Sequence, residues 1–354
     1  MRIFVLLLLL SAIAFGAGCS EQATAPATMQ TAMTTAPVEV SGAPSGSPAT
    51  PAPAATAAPV PFAGTFIDSH AHIRPGAMTY DEILRLMDEN GIDRMVVMEP
   101  PGDRWISSTP SSAYGIPEAA ERFPDRFTVL YSGDALPLLY AAAKNGKYTQ
   151  EQEEKFSTLL DEALASGRYR GIGEIGLRHL PPPGMPASYD ITVPADHPWM
   201  FIMSDTAARY GVPLDIHLQA GDCDISAVER LLDHNTKTVI LWDHAGDHTQ
   251  NMNPDALRLL LDRHANLYSS IKIRTGERQS QGGILNKDTG NISGKWKALI
   301  TDYSDRFVIG TDVKLGIRPD EIRFVTDHTS LLSQLPPETA QKVAQENPKR
   351  IFRI

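Results

Sequence analysis

The stretch TFIDSHAHIR (Thr65 to Arg74) closes a short apolar run with two histidines, His70 and His72, that stand one residue apart. Side chains at positions i and i+2 of a β-strand point to the same face, so both imidazoles can face one side of a strand. A lone His-x-His pair is also common by chance, and the simpler interpretation is that two polar residues mark the end of a strand. The rest of the chain decides between a metal site and that alternative.

Seven further apolar runs follow this one, and helix-like amphipathic segments separate them. The runs are RMVVMEP, RFTVLYSGD, GIGEIGL, VPLDIHL, TVILWDHAG, NLYSSIKI and RFVIGTDV, which begin at Arg94, Arg126, Gly171, Val212, Thr238, Asn266 and Arg306. The helix-like segments include Thr79–Asn90, Thr149–Ser166, Trp199–Tyr210, Ser226–Asn235 and Pro254–His264. Alternating strands and helices predict parallel strands joined by crossovers, and eight such units predict a (β/α)8 TIM barrel. Two segments rich in Gly, Pro, Asn and Ser, 181–194 and 280–294, are predicted to be loops.

Ionisable residues recur within or at the ends of these runs. Besides His70 and His72, they are Glu174 in the fourth run, His217 in the fifth, His244 in the sixth and Asp312 in the eighth. The carboxyl ends of parallel barrel strands open on one face, and that face holds the active site. We therefore expect six imidazole and carboxylate groups to meet there, and these groups are ligands for zinc or a similar divalent ion.

Each of these residues also has an ordinary structural explanation. His217 and His244 fit hydrogen-bonded histidines near a core, Asp312 fits a cap of the following segment, and Glu174 fits a buried ion pair. A carboxylate in a run as apolar as GIGEIGL is costly to bury unless it is paired or bound to a metal. Six ligand-type residues in five separate strand units together favour the metal site.

This set of motifs resembles the amidohydrolase superfamily over essentially all of Gly64 to Ile354. FIDSHAH, GIGEIGL, PLDIH and FVIGTD are similar to the TatD-type hydrolases and to the amidohydrolase-related group, and the terminal QENPKRIFRI resembles the ending of both branches. The resemblance implies that His70, His72 and Asp312 bind one metal, and that Glu174 bridges to a second metal held by His217 and His244. Arg178 follows GEIGL where TatD-type proteins usually have Asp, and this departure weakens the transfer of their substrate preferences, including nuclease activity, to this chain.

The implied reaction is hydrolysis of an amide, ester, lactone or phosphoester with one or two divalent ions, most readily zinc. Such an ion acidifies bound water and polarises the scissile oxygen. Asp312 and His244 are the predicted catalytic residues, with Asp312 moving the proton from water to the leaving group. One alternative is a zinc-dependent decarboxylase or hydratase of the amidohydrolase-related group, which needs a single metal and generally lacks a ligand at the Glu174 position. Another is a non-catalytic, metal-carrying surface lipoprotein.

The predicted partner is a small molecule. Arg178, Lys272 and Arg274 follow the fourth and seventh runs and are candidates to hold an anionic substrate group; the alternative is that they are solvated loop charges. The formal net charge of −10 argues against a general nucleic-acid-binding surface. The sequence carries no signal for an oligomeric state.

The first 63 residues have the composition of an export signal and a tether. Residues 1–18 have the order of a secretory signal peptide, and Cys19 after Gly16-Ala17-Gly18 resembles a bacterial lipoprotein signal, with Gly16 where an aliphatic residue is usual. The Ala-, Pro- and Thr-rich segment 19–63 predicts a disordered linker, and residues 64–354 form the predicted catalytic domain. These features predict a lipid-anchored protein of the bacterial cell envelope, attached to the membrane only through Cys19. Cys223 is the only other cysteine, so the mature domain has no internal disulfide partner.

Overall fold

The computed structural model describes residues 61–100, 116–179, 191–219, 221–244, 252–273, 283–286, 288–316, 322–323 and 325–354. The predicted signal peptide, Cys19, almost all of the linker and Arg274 lie outside these residues. So do residues 181–190 of the first predicted loop, and residues 280–282 and 287 of the second. None of the helices in this part of the chain is both long enough and apolar enough to span a membrane.

The described residues contain ten strands, which form two sheets. They are β1 (Phe66–Ile73), β2 (Ile92–Val97), β3 (Phe127–Val129), β4 (Ile172–His179), β5 (Ile191–Thr192), β6 (Leu214–Leu218), β7 (Ile240–Asp243), β8 (Leu267–Ile271), β9 (Phe307–Ile309) and β10 (Val313–Leu315). Every direct pairing between them is parallel except that of the short β5 with β4. Eight of these strands correspond to the eight apolar runs predicted from the sequence.

Those eight strands close into a ring in the order β1, β2, β3, β4, β6, β7, β8 and β9. Adjacent strands pair directly within two sheets, one of four strands and one of six. A parallel bridge between Tyr131 and Ile172 joins β3 to β4. On the other side, the Asp312 amide donates to the His70 carbonyl at 2.8 Å, which joins the end of β9 to β1. The predicted (β/α)8 barrel is confirmed.

The eighth run differs from the prediction in one respect. RFVIGTDV is not one strand, because β9 ends at Ile309 and β10 begins at Val313 and pairs with β1. Asp312 occupies the break between them with a φ of 54°, in the left-handed region that few residues other than glycine adopt. The break therefore turns the chain at the position of a predicted ligand.

Helices surround the ring. They are α1 (Tyr80–Glu89), α2 (Ile116–Arg122), α3 (Ala135–Asn145), α4 (Gln150–Ala165), α5 (Pro198–Tyr210), α6 (Asp222–His234), α7 (Pro254–Arg263), α8 (Gly294–Asp302), α9 (Val325–Gln334), α10 (Pro337–Gln341) and α11 (Asn347–Phe352). A π-helical segment, Lys342–Glu346, joins the last two. Two helices begin with capping boxes: Thr79 pairs with Glu82 at the start of α1, and Thr149 pairs with Gln152 at the start of α4. The helix predicted over Ser226–Asn235 starts earlier, at Asp222, and ends at His234.

The interior of the barrel has an apolar part and a polar part. The apolar part, here called the inner apolar cluster, combines strand residues with the end of α11 and consists of Ile67, Val96, Met98, Leu130, Leu241, Tyr268, Val308, Ile351 and Phe352. Alternate residues of β6 show how the polar part arises. Leu214 and Ile216 pack into a second, larger apolar cluster formed by strands and surrounding helices, here called the outer core. Asp215 and His217 lie among the charged groups of the interior.

The C-terminal motif supports the apolar part. The Asn347 side-chain amide donates to the carbonyls of Ser304 at 2.7 Å and Phe307 at 2.8 Å. Arg350 donates to the Asp305 carbonyl at 2.7 Å, and Phe352 is 1 % exposed. The residues of QENPKRIFRI thus fasten α11 to the barrel and contribute apolar side chains to its interior.

Candidate metal centre

The structure brings all six predicted ligands together inside the barrel. His70 and His72 come from β1, Glu174 from β4 and His217 from β6. His244 directly follows β7. Asp312 follows β9 after the two residues Gly310 and Thr311. The three acid and imidazole groups nearest the centre, His70, His72 and Glu174, are each less than 5 % exposed.

The prediction placed Glu174 at the carboxyl end of its strand. In the structure it is the third of the eight residues of β4. The pairing of β4 with β6 is irregular between Ile172 and Ile175. Ile172 and Ile175 both pack into the outer core while Glu174 faces the interior, so this irregularity places a carboxylate among the histidines.

Glu174 lies between two sets of histidines. Its Oε2 is 3.5 Å from Nε2 of His70 and 3.5 Å from Nε2 of His72. Its Oε1 is 2.8 Å from Nδ1 of His217. One carboxylate therefore contacts imidazoles from β1 and β6 through different oxygens.

Asp312 lies beside His72, and its Oδ1 is 3.1 Å from the His72 Nε2. The same carboxylate is 3.9 Å from Nε2 of His70 and 3.9 Å from Nε2 of His244. His72 is held in place from its other side, where Nδ1 is 2.9 Å from the Met98 carbonyl. A histidine that uses one ring nitrogen on a backbone carbonyl presents the other to a metal.

His244, like Asp312, has a left-handed backbone, with a φ of 59°. Its amide donates to the Ser270 Oγ at 3.0 Å, and that hydroxyl donates to the Asp243 carboxylate at 3.0 Å. Left-handed residues other than glycine cost roughly 1–3 kcal/mol and persist where the surroundings hold them, often at functional sites. Two such residues, His244 and Asp312, occur in this site, and their side chains are 3.9 Å apart.

Three buried carboxylates near the site, those of Asp68, Asp215 and Asp243, were not predicted from the sequence. Asp243 Oδ2 is 3.0 Å from the His70 Nδ1, and Asp215 Oδ1 is 3.9 Å from it. Asp68 accepts the Thr311 amide at 2.9 Å and so fastens β1 to the turn that carries Asp312. A signal was present for two of them, because Asp68 and Asp215 each precede a predicted ligand histidine by two residues and can share its face.

The electrostatics of the site follow from burial and proximity. Burial alone would lower the pKa of His70, but Asp243 and Glu174 outweigh it and hold that pKa well above its ordinary value. Burial raises the pKa of Asp215 well above normal, and the neighbouring Asp243 raises it further. Burial opposes ionisation of Asp312, yet Lys272 and Lys314 hold its pKa well below its usual range. Burial and Lys272 lower the pKa of His244.

The donor atoms fit a divalent metal. Four triplets have ligand atoms that all lie within 4.8 Å of one another, namely His70–His72–Glu174, Glu174–His217–His244, His70–His244–Asp312 and His70–Asp215–Asp243. In addition, both carboxylate oxygens of Asp215 are buried and make no hydrogen bond with any other described residue. Buried carboxylates need a proton, a cation or a hydrogen-bond donor. An imidazole and carboxylate set of this kind suits zinc and other first-row divalent ions.

The three candidate substrate-binding cations have different surroundings. Arg178 lies within β4, not in a loop after it, and its guanidinium is 3.8 Å from the Asp224 carboxylate. Lys272 directly follows β8, is 7 % exposed and contacts Asp312, so it is not a solvated loop charge. Arg274 lies outside the described residues. Lys314 of β10, which was not predicted from the sequence, also contacts Asp312.

No protein-family model matches this sequence, and no curated protein matches it. Among solved structures, it is similar to 2,6-dihydroxybenzoate decarboxylase from Rhizobium, with 14 % identity, 82 % of this chain and 99 % of that chain covered, and a TM-score of 0.48. It is also similar to 5-carboxyvanillate decarboxylase from Novosphingobium aromaticivorans complexed with manganese, with 12 % identity, 82 % and 97 % covered, and a TM-score of 0.46. For dihydroorotase from Campylobacter jejuni the identity is 15 %, the covered shares are 82 % and 83 %, and the TM-score is 0.43.

These likenesses concern the fold and assign no reaction. The closed ring of parallel strands rests on the strand pairings themselves. The chain thus has the (β/α)8 barrel architecture that its sequence predicts.

Proposed function

We propose that this chain is a metal-dependent hydrolase that uses two divalent ions, preferably zinc, to cleave an amide, ester, lactone or phosphoester bond. The observation that carries the proposal is the position of Glu174, whose two oxygens contact His70 and His72 on one side and His217 on the other. A carboxylate between two sets of imidazoles suits a pair of metals, whereas a single metal has no need of a bridge.

The ligands divide into two sets around that carboxylate. His70, His72 and Asp312 would hold one ion, His217 and His244 would hold the other, and Glu174 would contact both. When bound, divalent ions acidify water and polarise the oxygen of the bond to be cleaved.

Asp312 is the residue proposed to move the proton. Lys272 and Lys314 hold its pKa well below its usual range, so the carboxylate is ionised at neutral pH and its oxygens can accept a hydrogen bond from water. Its side chain is 12 % exposed, more than those of His70, His72 and Glu174. Burial and Lys272 lower the pKa of His244, which keeps its imidazole neutral and able to bind a metal or accept a hydrogen bond.

The test is a substrate screen with the zinc-reconstituted chain, covering an aryl ester, a lactone, an amide and a phosphodiester, together with a carboxylated phenol assayed for release of carbon dioxide. We expect hydrolysis of at least one class, lost on chelation and in Asp312→Asn. Release of carbon dioxide without any hydrolysis would replace the proposal with the decarboxylase alternative. Absence of every reaction from the metal-loaded chain would overturn the assignment to an enzyme.

We further propose that the enzyme is exported and held at the bacterial cell envelope by lipidation of Cys19. The support is the sequence of residues 1–63 alone, since Cys19 lies outside the described residues. Labelling of expressed protein with a radioactive fatty acid, compared with Cys19→Ser, tests it. Equal labelling of the two proteins contradicts it.

A further inference from the structure

Two lysines converge on the Asp312 carboxylate from different strands. Lys272 directly follows β8 and contacts Oδ2, and Lys314 lies in β10 and contacts Oδ1. Lys314 also donates to the Asp312 carbonyl at 3.3 Å. One carboxylate thus contacts two ammonium groups, each through a different oxygen.

Both lysines are unusual in their burial. The side chain of Lys272 is 8 % exposed and that of Lys314 is 21 % exposed. Lysine is almost never buried unless it is paired, because its ammonium group is strongly hydrated in water. The carboxylate of Asp312 carries one negative charge, and two ammonium groups contact it.

The positive charge at this point increases once Asp312 takes part in metal binding. Its single negative charge would then be shared by a divalent ion and two ammonium groups. A low-dielectric interior makes such an excess of charge costly, and a bound anion relieves the cost. An ammonium group has three donors, so each lysine can contact Asp312 and an anionic ligand at once.

We propose that Lys272 and Lys314 form a subsite for an anionic group of the substrate, a carboxylate or a phosphate, beside the bond that is cleaved. The proposal deepens the proposed hydrolase function and rests on it. It narrows the substrate to an anionic small molecule, in which the oxyanion contacts the lysines while the neighbouring ester, amide, lactone or phosphoester group meets Asp312 and the metal ligands.

The test measures binding of three probes to the zinc-loaded chain by calorimetry: benzoate, phenylphosphonate and benzamide, which is similar in shape to benzoate but uncharged. We expect at least one anion to bind about tenfold or more tightly than benzamide, since charge-assisted hydrogen bonds are among the stronger ones. Whichever anion binds more tightly distinguishes a carboxylate subsite from a phosphate subsite.

Lysine variants assign that preference to these residues and not to the metal. Lys272→Met and Lys314→Met should each weaken binding of the preferred anion about tenfold and leave benzamide unchanged. Lys272→Arg should retain most of the preference because the charge is kept. Lys297→Met, at an exposed position of α8, is the matched control and should bind like the original chain.

Zinc content and thermal unfolding are measured on the same samples, so that two kinds of failure are distinguished. Folded, zinc-loaded lysine variants that bind the anion as tightly as the original chain overturn the subsite and leave the hydrolase standing. A chain without zinc overturns the hydrolase, and the lysine variants still report on the anion. If the original chain has no preference for either anion over benzamide, the subsite proposal is wrong.

Discussion

The apolar and polar parts of the barrel interior differ in the side chains that they bury, although strands of one barrel supply both. In the inner apolar cluster, residues such as Ile67, Leu241 and Val308 are nearly fully buried and pack against Phe352. In the polar part, the same strands bury imidazoles and carboxylates, and two residues adopt left-handed backbone. Apolar packing gains stability from burial, whereas buried charges cost stability unless they are paired or bound to an ion.

This difference assigns the two parts to separate tasks. The apolar cluster holds the ring closed. The polar part depends on that rigidity to keep its candidate ligand atoms within 4.8 Å of one another. Changes in the polar part should therefore affect metal binding and turnover first, and changes in the apolar cluster should affect unfolding first.

The largest effect should come from the polar part. Asp312→Asn removes the proposed proton carrier and should lower turnover by roughly a hundred- to ten-thousandfold, the usual contribution of a general acid or base. The chain should still fold, as judged by circular dichroism. Asp305→Asn, at an exposed position paired with Lys342, is the control and should leave turnover unchanged. Normal turnover in Asp312→Asn would remove Asp312 from the mechanism.

The apolar cluster should show the opposite behaviour. Phe352→Ala leaves a cavity beneath the site and should lower the free energy of unfolding by about 3–5 kcal/mol, measured by chemical denaturation. Zinc content at low temperature should be unchanged. Leu259→Ala is a control, because Leu259 is 58 % exposed, and truncating it should change stability by less than about 0.5 kcal/mol. Loss of zinc without loss of stability in Phe352→Ala would contradict the separation of tasks.

Metal binding should link the two parts through stability. Zinc at about a hundred times its dissociation constant should raise the free energy of unfolding by about 2.7 kcal/mol, and a chelator should reverse the gain. Glu174→Gln should bind zinc more weakly and show a smaller gain at the same concentration. Equal gains in both proteins would show that Glu174 is not a ligand.

The smallest effect belongs to the outside of the barrel, which serves as a reference for both parts. Burial acts to raise the pKa of Asp205, but hydrogen bonds from Asn235 at 2.8 Å and from His234 outweigh it and hold that pKa below normal. Its contribution is therefore complete above the unfolded value of about 3.9 and is lost as the pH falls through the lower folded value. It should stay below about 1 kcal/mol because the side chain is 53 % exposed. Unfolding curves of Asp205→Asn between pH 2 and 7 measure it; a difference that grows toward low pH contradicts this sign.

The fold was predictable because its signals are repeated. Eight apolar runs separated by amphipathic segments indicate a parallel barrel even when individual boundaries are inexact, as at the start of α6. The break between β9 and β10 was not predictable, because Gly310-Thr311-Asp312 continues an apolar run and its turn depends on the contact of Asp312 with His70.

The convergence of the six ligand-type residues was predictable from strand order, whereas their surroundings were not. Asp215 and Asp68 share the spacing of the histidines that follow them, so that signal was present and was missed. Lys314 follows Asp312 by two residues, yet nothing in the sequence shows that Lys272 meets it there from another strand. Contacts between distant strands depend on register and side-chain length, which a single sequence does not reveal.

The most direct test of the two-metal account is the zinc content of the purified, zinc-saturated chain, measured by mass spectrometry beside Glu174→Gln. The account predicts two equivalents per chain and a loss of at least one in the variant, since Glu174 contacts histidines on both sides. A single equivalent in the original chain, unchanged in Glu174→Gln, would contradict it.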